Sequence, residues 1–236
     1  MKKYDIHSHI LPEIDDGAAD IDISLLLLEA LECQGVTSLA FTPHFYTQYE
    51  EVESRLEEFL YKREKSFKKI QKEYAGNMEF TLGAEVHLSE NLMLIENPRA
   101  LCYENTDYML IEMPYHSKFT DEEMEILLYL KEKHNITPVL AHIERYPALI
   151  KNKALISKLK DMGCVMQINT ESLTRRFGKG KILKLIKEGY VTVLGSDTHS
   201  TTRGCDFGIG FPAIEQHCSE SVIENISKAS KALFAE

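Results

Sequence analysis

Two histidines one residue apart, His7 and His9, follow the short run Tyr4-Asp5-Ile6 near the start of the chain. If that run ends a β-strand, side-chain alternation puts both imidazoles on one face, where they can converge on a metal ion. Alone, a His-x-His pair says little. Its weight comes from what stands at the ends of the other strand-like stretches. His44 follows 36–42, Glu85 (with His87 nearby) follows 78–82, Glu112 lies in 107–113 and His142 follows 136–141. Asn169 and Glu171 follow 164–168, and Asp197 and His199 follow 190–194. Imidazoles and carboxylates without thiolates suit zinc, manganese or iron and argue against a structural zinc knot. The candidates outnumber the needs of one tetrahedral ion, so two or three ions sharing carboxylates would use them. Close-set ions serve phosphoryl hydrolysis: they generate hydroxide near neutral pH and clamp phosphate oxygens.

Positioning these groups is the task of the elements between them. Residues 3–6 predict a first strand. Ile21, Leu25, Leu28 and Leu31 recur at helical spacing up to Gly35. A β-branched, apolar stretch at 36–42 is cut by Pro43. Residues 50–74 predict a long amphipathic helix stopped by Gly76, with its charges on a solvated face. Strands follow at 78–82 and 107–113, while 89–105 has no clear pattern. Thr120 and Glu123 resemble a capping box opening a helix to about residue 133. Strand 136–141, helix 149–162, strand 164–168, helix 181–188 and strand 190–194 complete the alternation, and helices at 213–218 and 221–234 end the chain. Seven strands alternating mostly with helices imply parallel strands with right-handed crossovers. An open sheet would set the strand ends in a line, whereas a barrel gathers them on one rim. The even spread of candidate ligands favours the barrel.

Composition narrows the class. The chain has 236 residues and a formal net charge of −10, which argues against general affinity for nucleic-acid backbones. Its five cysteines are odd in number and widely spaced, with no C-x-x-C pair, so a reducing, cytoplasmic setting is expected. None has an arginine six positions on, so the cysteine-dependent phosphate loop C-x5-R is absent. No apolar segment follows Lys2 and Lys3, so no signal peptide is expected. The apolar run Leu25 to Leu28 is far too short to insert in a membrane. One domain spanning 1–236 is expected, and the oligomeric state stays open.

Seven stretches together resemble the PHP (polymerase and histidinol phosphatase) family. They are DIHSHILPEIDDGA (5–18), TPHF (42–45), GAEVHL (83–88), IEMP (111–114), LAHIERY (140–146), QINTESL (167–173) and GSDTHS (195–200). The resemblance is strongest to its bacterial tyrosine phosphatase branch, the CpsB/YwqE-like enzymes of capsule and exopolysaccharide gene clusters. It implies an α/β fold, a distorted seven-stranded parallel (β/α)7 barrel, and up to three metal ions, usually manganese, with iron or zinc also open. By motif, His7, His9, Glu85 and Asp197 would surround one ion. Glu85 would bridge to a second held by Glu112 and His142, and Asp16, His44 and His199 would hold the third. The choice of Asp16 over Asp15 follows the family's D-D-G pattern. Arg145, three residues after His142, would bind phosphate. Arg203 stands where the family has a second arginine, in a loop one residue shorter than in relatives. The expected reaction is attack of a hydroxide bridging two metals on the phosphorus of phosphotyrosine. The implied partner is the tyrosine-rich tail of a bacterial tyrosine autokinase controlling polysaccharide synthesis. Two alternatives remain: a PHP phosphoesterase acting on a small molecule such as histidinol phosphate, and a non-catalytic PHP binding domain. The latter predicts eroded ligands, yet all nine positions hold competent residues.

Other residues have plainer readings. His134 suits a helix C-terminus, His217 a helix surface and His116 an exposed loop. His87 stands close enough to support a ligand without being one. Asp5 is read as supporting a histidine or the barrel floor. Asn169 and Glu171 are read as partners of ligands or as rim residues. Arg175 and Arg176 are read as surface cations. Phe45 and Tyr46 are read either as a stacking surface for a tyrosyl ring or as packing at the loop base.

Overall fold

The computed structural model describes residues 2–115 and 119–235. His116, expected in an exposed loop, lies outside the described residues. The chain runs β1 (Lys3–Asp5), α1 (Ile21–Cys33), β2 (Val36–Phe41), β3 (His44–Tyr46), α2 (Val52–Glu73), β4 (Glu79–Leu82) and β5 (Glu85–His87). It continues through β6 (Tyr108–Glu112), α3 (Asp121–His134), β7 (Thr137–Leu140), α4 (Pro147–Ile150), α5 (Lys153–Asp161) and β8 (Val165–Asn169). α6 (Lys179–Lys187), β9 (Val191–Gly195), α7 (Phe211–His217) and α8 (Glu220–Lys231) complete it. The stretch 89–105 holds two short 3-10 turns. The helix expected over 149–162 is two helices, because the Asn152 side chain caps α5 by accepting from the Leu155 amide at 3.1 Å.

The strands are parallel and form two sheets, β1-β2-β4 and β3-β5-β6-β7-β8-β9. The seven expected strands thus appear as nine segments. The two added segments, β3 and β5, lie just past the ends of the strands expected at 36–42 and 78–82, separated from them by a break at Pro43, which has no amide hydrogen for the ladder, and by one at Gly83-Ala84. At both breaks the chain passes from the small sheet to the large one. Beyond them β3 and β5 pair with His44 opposite Glu85, which sets two candidate ligands side by side. Where β1 nears β9, no regular ladder forms among the described residues. The chain just beyond β1 is tied instead by hydrogen bonds from Ile6 N to Leu194 O (3.3 Å), Asp197 N to His7 O (2.8 Å) and His9 N to Thr198 O (2.8 Å).

Two apolar layers support this frame. The outer one packs helix faces such as Leu27 and Leu31 of α1, Leu56 and Ile70 of α2 and Leu127 and Leu130 of α3 against the strands. The inner one gathers Tyr4, Ile6, Ala40, Leu110, Val139, Ala141 and Val193 from strands of both sheets, together with Tyr103 and Leu233. Both sheets therefore wrap one interior. The Tyr103 hydroxyl crosses it to donate to the Ile6 carbonyl at 2.8 Å.

Candidate metal centre

The site sits at the carboxyl ends of the strands. His7 and His9 follow β1, and their Nε2 atoms face each other at 3.1 Å, so both rings do point one way. The glycines of the motifs make this approach possible. A Cβ on Gly17 would stand 1.8 Å from the His9 carbonyl oxygen, and one on Gly195 would stand 2.6 Å from the His7 Cβ. Only glycine lets the D-D-G loop and the end of β9 close on the histidines. Two further candidate ligands adopt left-handed backbone, His142 at φ 31° and Asp197 at φ 58°. Such strain persists only where the surroundings hold it.

Glu85 is the hub. It is buried, and its Oε2 lies 3.2 Å from His7 Nε2, 3.1 Å from His9 Nε2 and 3.1 Å from His44 Nδ1. That oxygen makes no hydrogen bond among the described residues despite these neighbours. Its partner Oε1 lies 2.8 Å from His142 Nε2, and Glu112 Oε1 lies 3.7 Å from the same nitrogen. Asp197 Oδ1 is 3.5 Å from His7 Nε2 and 3.4 Å from His9 Nε2. Asp16 Oδ1 faces His199 Nε2 at 3.3 Å and His44 Nε2 at 3.5 Å. Three groups of possible ligands emerge: His7, His9, Glu85 and Asp197; His9, Asp16, His44 and His199; and His44, Glu85 and Glu112. The first matches one expected set. The second adds His9 to another. In the third, His44 stands where His142 was expected, while His142 reaches the same two carboxylates from one side.

The ring tautomers show that these residues fit a cation. Backbone carbonyls only accept, so the 2.8 Å contact from His199 Nδ1 to the Asp197 carbonyl makes Nδ1 the donor. In the neutral ring, Nε2 then turns its lone pair toward Asp16 Oδ1, and Nε2 has no hydrogen bond among the described residues. His9 behaves alike: Nδ1 bonds Asp15 Oδ2 at 2.7 Å, which leaves Nε2 for the centre. Lone pairs of nitrogen and carboxylate oxygen thus face one another at distances that call for positive charge between them. A proton on a ring answers the same demand for positive charge in place of an ion. Burial opposes a proton on His9, yet the Asp15 hydrogen bond and the Glu85 carboxylate push its pKa well above the usual imidazole value. Burial likewise opposes charge on Glu85, but the His7 charge and the His142 hydrogen bond hold it well below the carboxylate range.

Arg145 donates to Asp197 Oδ2, and its side chain is 28% exposed, so the guanidinium flanks the centre and reaches solvent. Arg203 donates to Asp16 Oδ2 at 2.9 Å from the tight turn 200–203, so the short loop still carries it to the centre. Tyr46 stacks on His44 at 5.1 Å between ring centroids and is partly exposed, while Phe45 is buried against Phe59. His87 stands 3.7 Å from Glu112. Asn169 donates to Asp197 Oδ2, whereas Glu171 pairs with Arg175 on the surface. Arg176 lies over the exposed Phe177 ring. His134 ends α3 against Tyr129, and His217 is exposed at the end of α7. Asp5 is buried and accepts from the Ser196 and His7 amides, and burial pushes its pKa up to about 6.

Sequence reasoning passed over three residues. Asp15 also accepts from the His44 amide at 3.0 Å and the Gly17 amide at 2.9 Å, so the first aspartate of D-D-G braces the loop while the second faces the centre. Glu144 accepts from the Asn169 amide at 3.0 Å, and burial raises its pKa. Gln167 bonds the His142 amide. A polar residue inside an apolar strand, two positions before Asn169, was the available signal for Gln167.

A family model described as "Capsular polysaccharide synthesis, CpsB/CapC" matches residues 3–232. The chain belongs to the CpsB/CapC family. It is 32% identical over 210 residues to the tyrosine-protein phosphatase CpsB of Streptococcus pneumoniae, covering 83% of this chain and 82% of that one. It is 29% identical over 207 residues to the tyrosine-protein phosphatase YwqE of Bacillus subtilis, covering 83% and 77%. A solved structure from work on YwqE and CpsB, described as metal-dependent tyrosine phosphatases, superposes with a TM-score of 0.81 at 25% identity, covering 98% of this chain and 94% of that one. This chain and that structure therefore share a fold over nearly their whole lengths.

Proposed function

We propose that this chain is a metal-dependent protein-tyrosine phosphatase of capsule or exopolysaccharide synthesis. The observation that carries the reading is the Glu85 carboxylate, ringed by His7, His9, His44 and His142 with one oxygen left without a hydrogen bond. His7, His9, Glu85 and Asp197 would hold one ion, Glu85, Glu112 and His142 a second, and Asp16, His44 and His199 a third, manganese being our assignment. When bound, such ions supply Lewis acidity and lower the pKa of water.

The chain's own residues do the rest. Glu85 and Asp197 are buried and stay ionised, so the centre keeps its negative charge near neutral pH. Arg145, beside Asp197 and open to solvent, receives the equatorial phosphate oxygens with its planar fork, and Arg203 approaches from the Asp16 side. Tyr46, whose phenol is pushed up to about 12 by burial and the nearby carboxylates, stays neutral and offers a ring face to the substrate tyrosine. The departing phenolate has a pKa of about 10 and needs little help from an acid. The tyrosine-rich tail of a bacterial autokinase is the substrate we assign.

Elemental analysis combined with turnover of a phosphotyrosyl peptide and of histidinol phosphate, on wild type and His142→Ala, tests this. The reading expects bound metal, preference for the peptide, and loss of activity in the variant. Metal-free wild type that is fully active, or preference for histidinol phosphate, would sink it.

A further inference from the structure

We propose that Gln167 and Asn169 form a polarity relay that decides which lone pairs of His7 and Asp197 face the centre, with Gln167 as the positioning residue. The proposal rests on the metal-ligand reading above. Gln167 and Asn169 are two residues apart on β8, on one face, and both are buried. The chain of donors and acceptors has only one solution. The His142 amide can only donate, and it lies 2.6 Å from one end of the Gln167 amide, so that end is the oxygen. The other end is then NH2, and it meets the Asn169 side chain at 2.8 Å, which must present its oxygen. The NH2 of Asn169 is left to donate to Asp197 Oδ2 at 2.9 Å.

The relay has two outputs. Asp197 Oδ2 is taken up by Asn169 and Arg145, so Oδ1 alone faces His7 and His9. The Gln167 oxygen also lies 3.4 Å from His7 Nδ1, which favours the Nδ1–H tautomer and leaves the Nε2 lone pair for the centre. The same two side chains touch both strained ligands, His142 and Asp197. A glutamine is required because the position must accept at one end and donate at the other. A carboxylate cannot donate, and an aliphatic side chain does neither. The close fit extends to Gly195, where a Cβ would stand 2.8 Å from Gln167 Nε2.

Two substitutions separate the outputs. Histidine-selective 15N NMR of the metal-free protein at alkaline pH reads the His7 tautomer, and chelator competition reads ion affinity. Gln167→Leu should lose the Nδ1–H signature of His7 and bind the ion about 10- to 100-fold more weakly. Gln167→Glu should keep that signature, because it still accepts from His7 and His142, yet still bind more weakly, because it cannot donate to Asn169. A merely structural glutamine would move neither the tautomer nor this split. Wild-type tautomer and affinity in Gln167→Leu overturns the relay, and so does full affinity in Gln167→Glu. If the leucine variant does not fold, the near-isosteric Gln167→Glu decides. Wild type that takes up no ion overturns the metal centre and the relay with it, whereas intact uptake with indifferent variants overturns the relay alone.

Discussion

At the scale of single residues, charge and proton count set the expectations. Glu85→Gln removes the carboxylate that faces His7, His9, His44 and His142. It should strip bound metal and abolish detectable phosphotyrosine turnover, with the fold retained by circular dichroism. Arg145→Lys keeps the positive charge but loses the planar fork, so kcat should fall roughly 100-fold. An unchanged rate would remove Arg145 from phosphate binding. The cysteines offer a control. Burial pushes the thiols of Cys102 and Cys164 up to about 12, so they stay protonated and unreactive at pH 7–9. Iodoacetamide followed by mass spectrometry should mark exposed Cys33 first and Cys102 and Cys164 only after unfolding, with no loss of activity. These residue types were legible in the sequence because they sit in short motifs at strand ends. Asp15 and Gln167 were less so, since their meaning lies in hydrogen-bond partners up to 29 and 160 positions away.

At the scale of elements, the loops matter as much as the strands. Gly17→Ala would drive a methyl into the His9 carbonyl. Its relief must move the D-D-G loop, so we expect about 1–3 kcal/mol of lost stability together with weaker metal retention. The helix α1 begins just beyond that loop, where Asp20 caps it by accepting from the Ile23 amide at 2.9 Å. Asp20→Ala should lower stability by about 1 kcal/mol in urea titration while leaving turnover unchanged. Equal losses of turnover in both variants would show that stability, not the loop's approach to His9, governs the site. Most elements were readable from period and punctuation, including the capping box of α3. The exceptions have physical causes. Asn152 interrupts a helical pattern by capping a second helix, and the sheet change at Gly83-Ala84 leaves no periodic trace.

For the whole molecule, removal of metal is the decisive perturbation. A ligand at 100 times its Kd adds about 2.7 kcal/mol, and a chain of this length shifts roughly 2–4 °C per kcal/mol, so chelation should lower Tm by about 5–10 °C. Identical melting with and without chelator would count against the centre. No helix among the described residues is long and apolar enough to cross a membrane.

The passage of two strands between sheets has a mechanical meaning. His7 and His9 hang from the three-stranded sheet, while Glu85 and Asp197 belong with the six-stranded one. An ion held by these four would act as a rivet across the seam between β1 and β9, where, among the described residues, scattered hydrogen bonds such as Asp197 N to His7 O stand in place of a regular ladder. Drawing the rivet should let the two sheets shear. Hydrogen–deuterium exchange would then quicken at the amides of Ile6, His9 and Asp197, which cross that seam, and stay slow in the middle of β6 and β7, so that a catalytic ion is also a fastener.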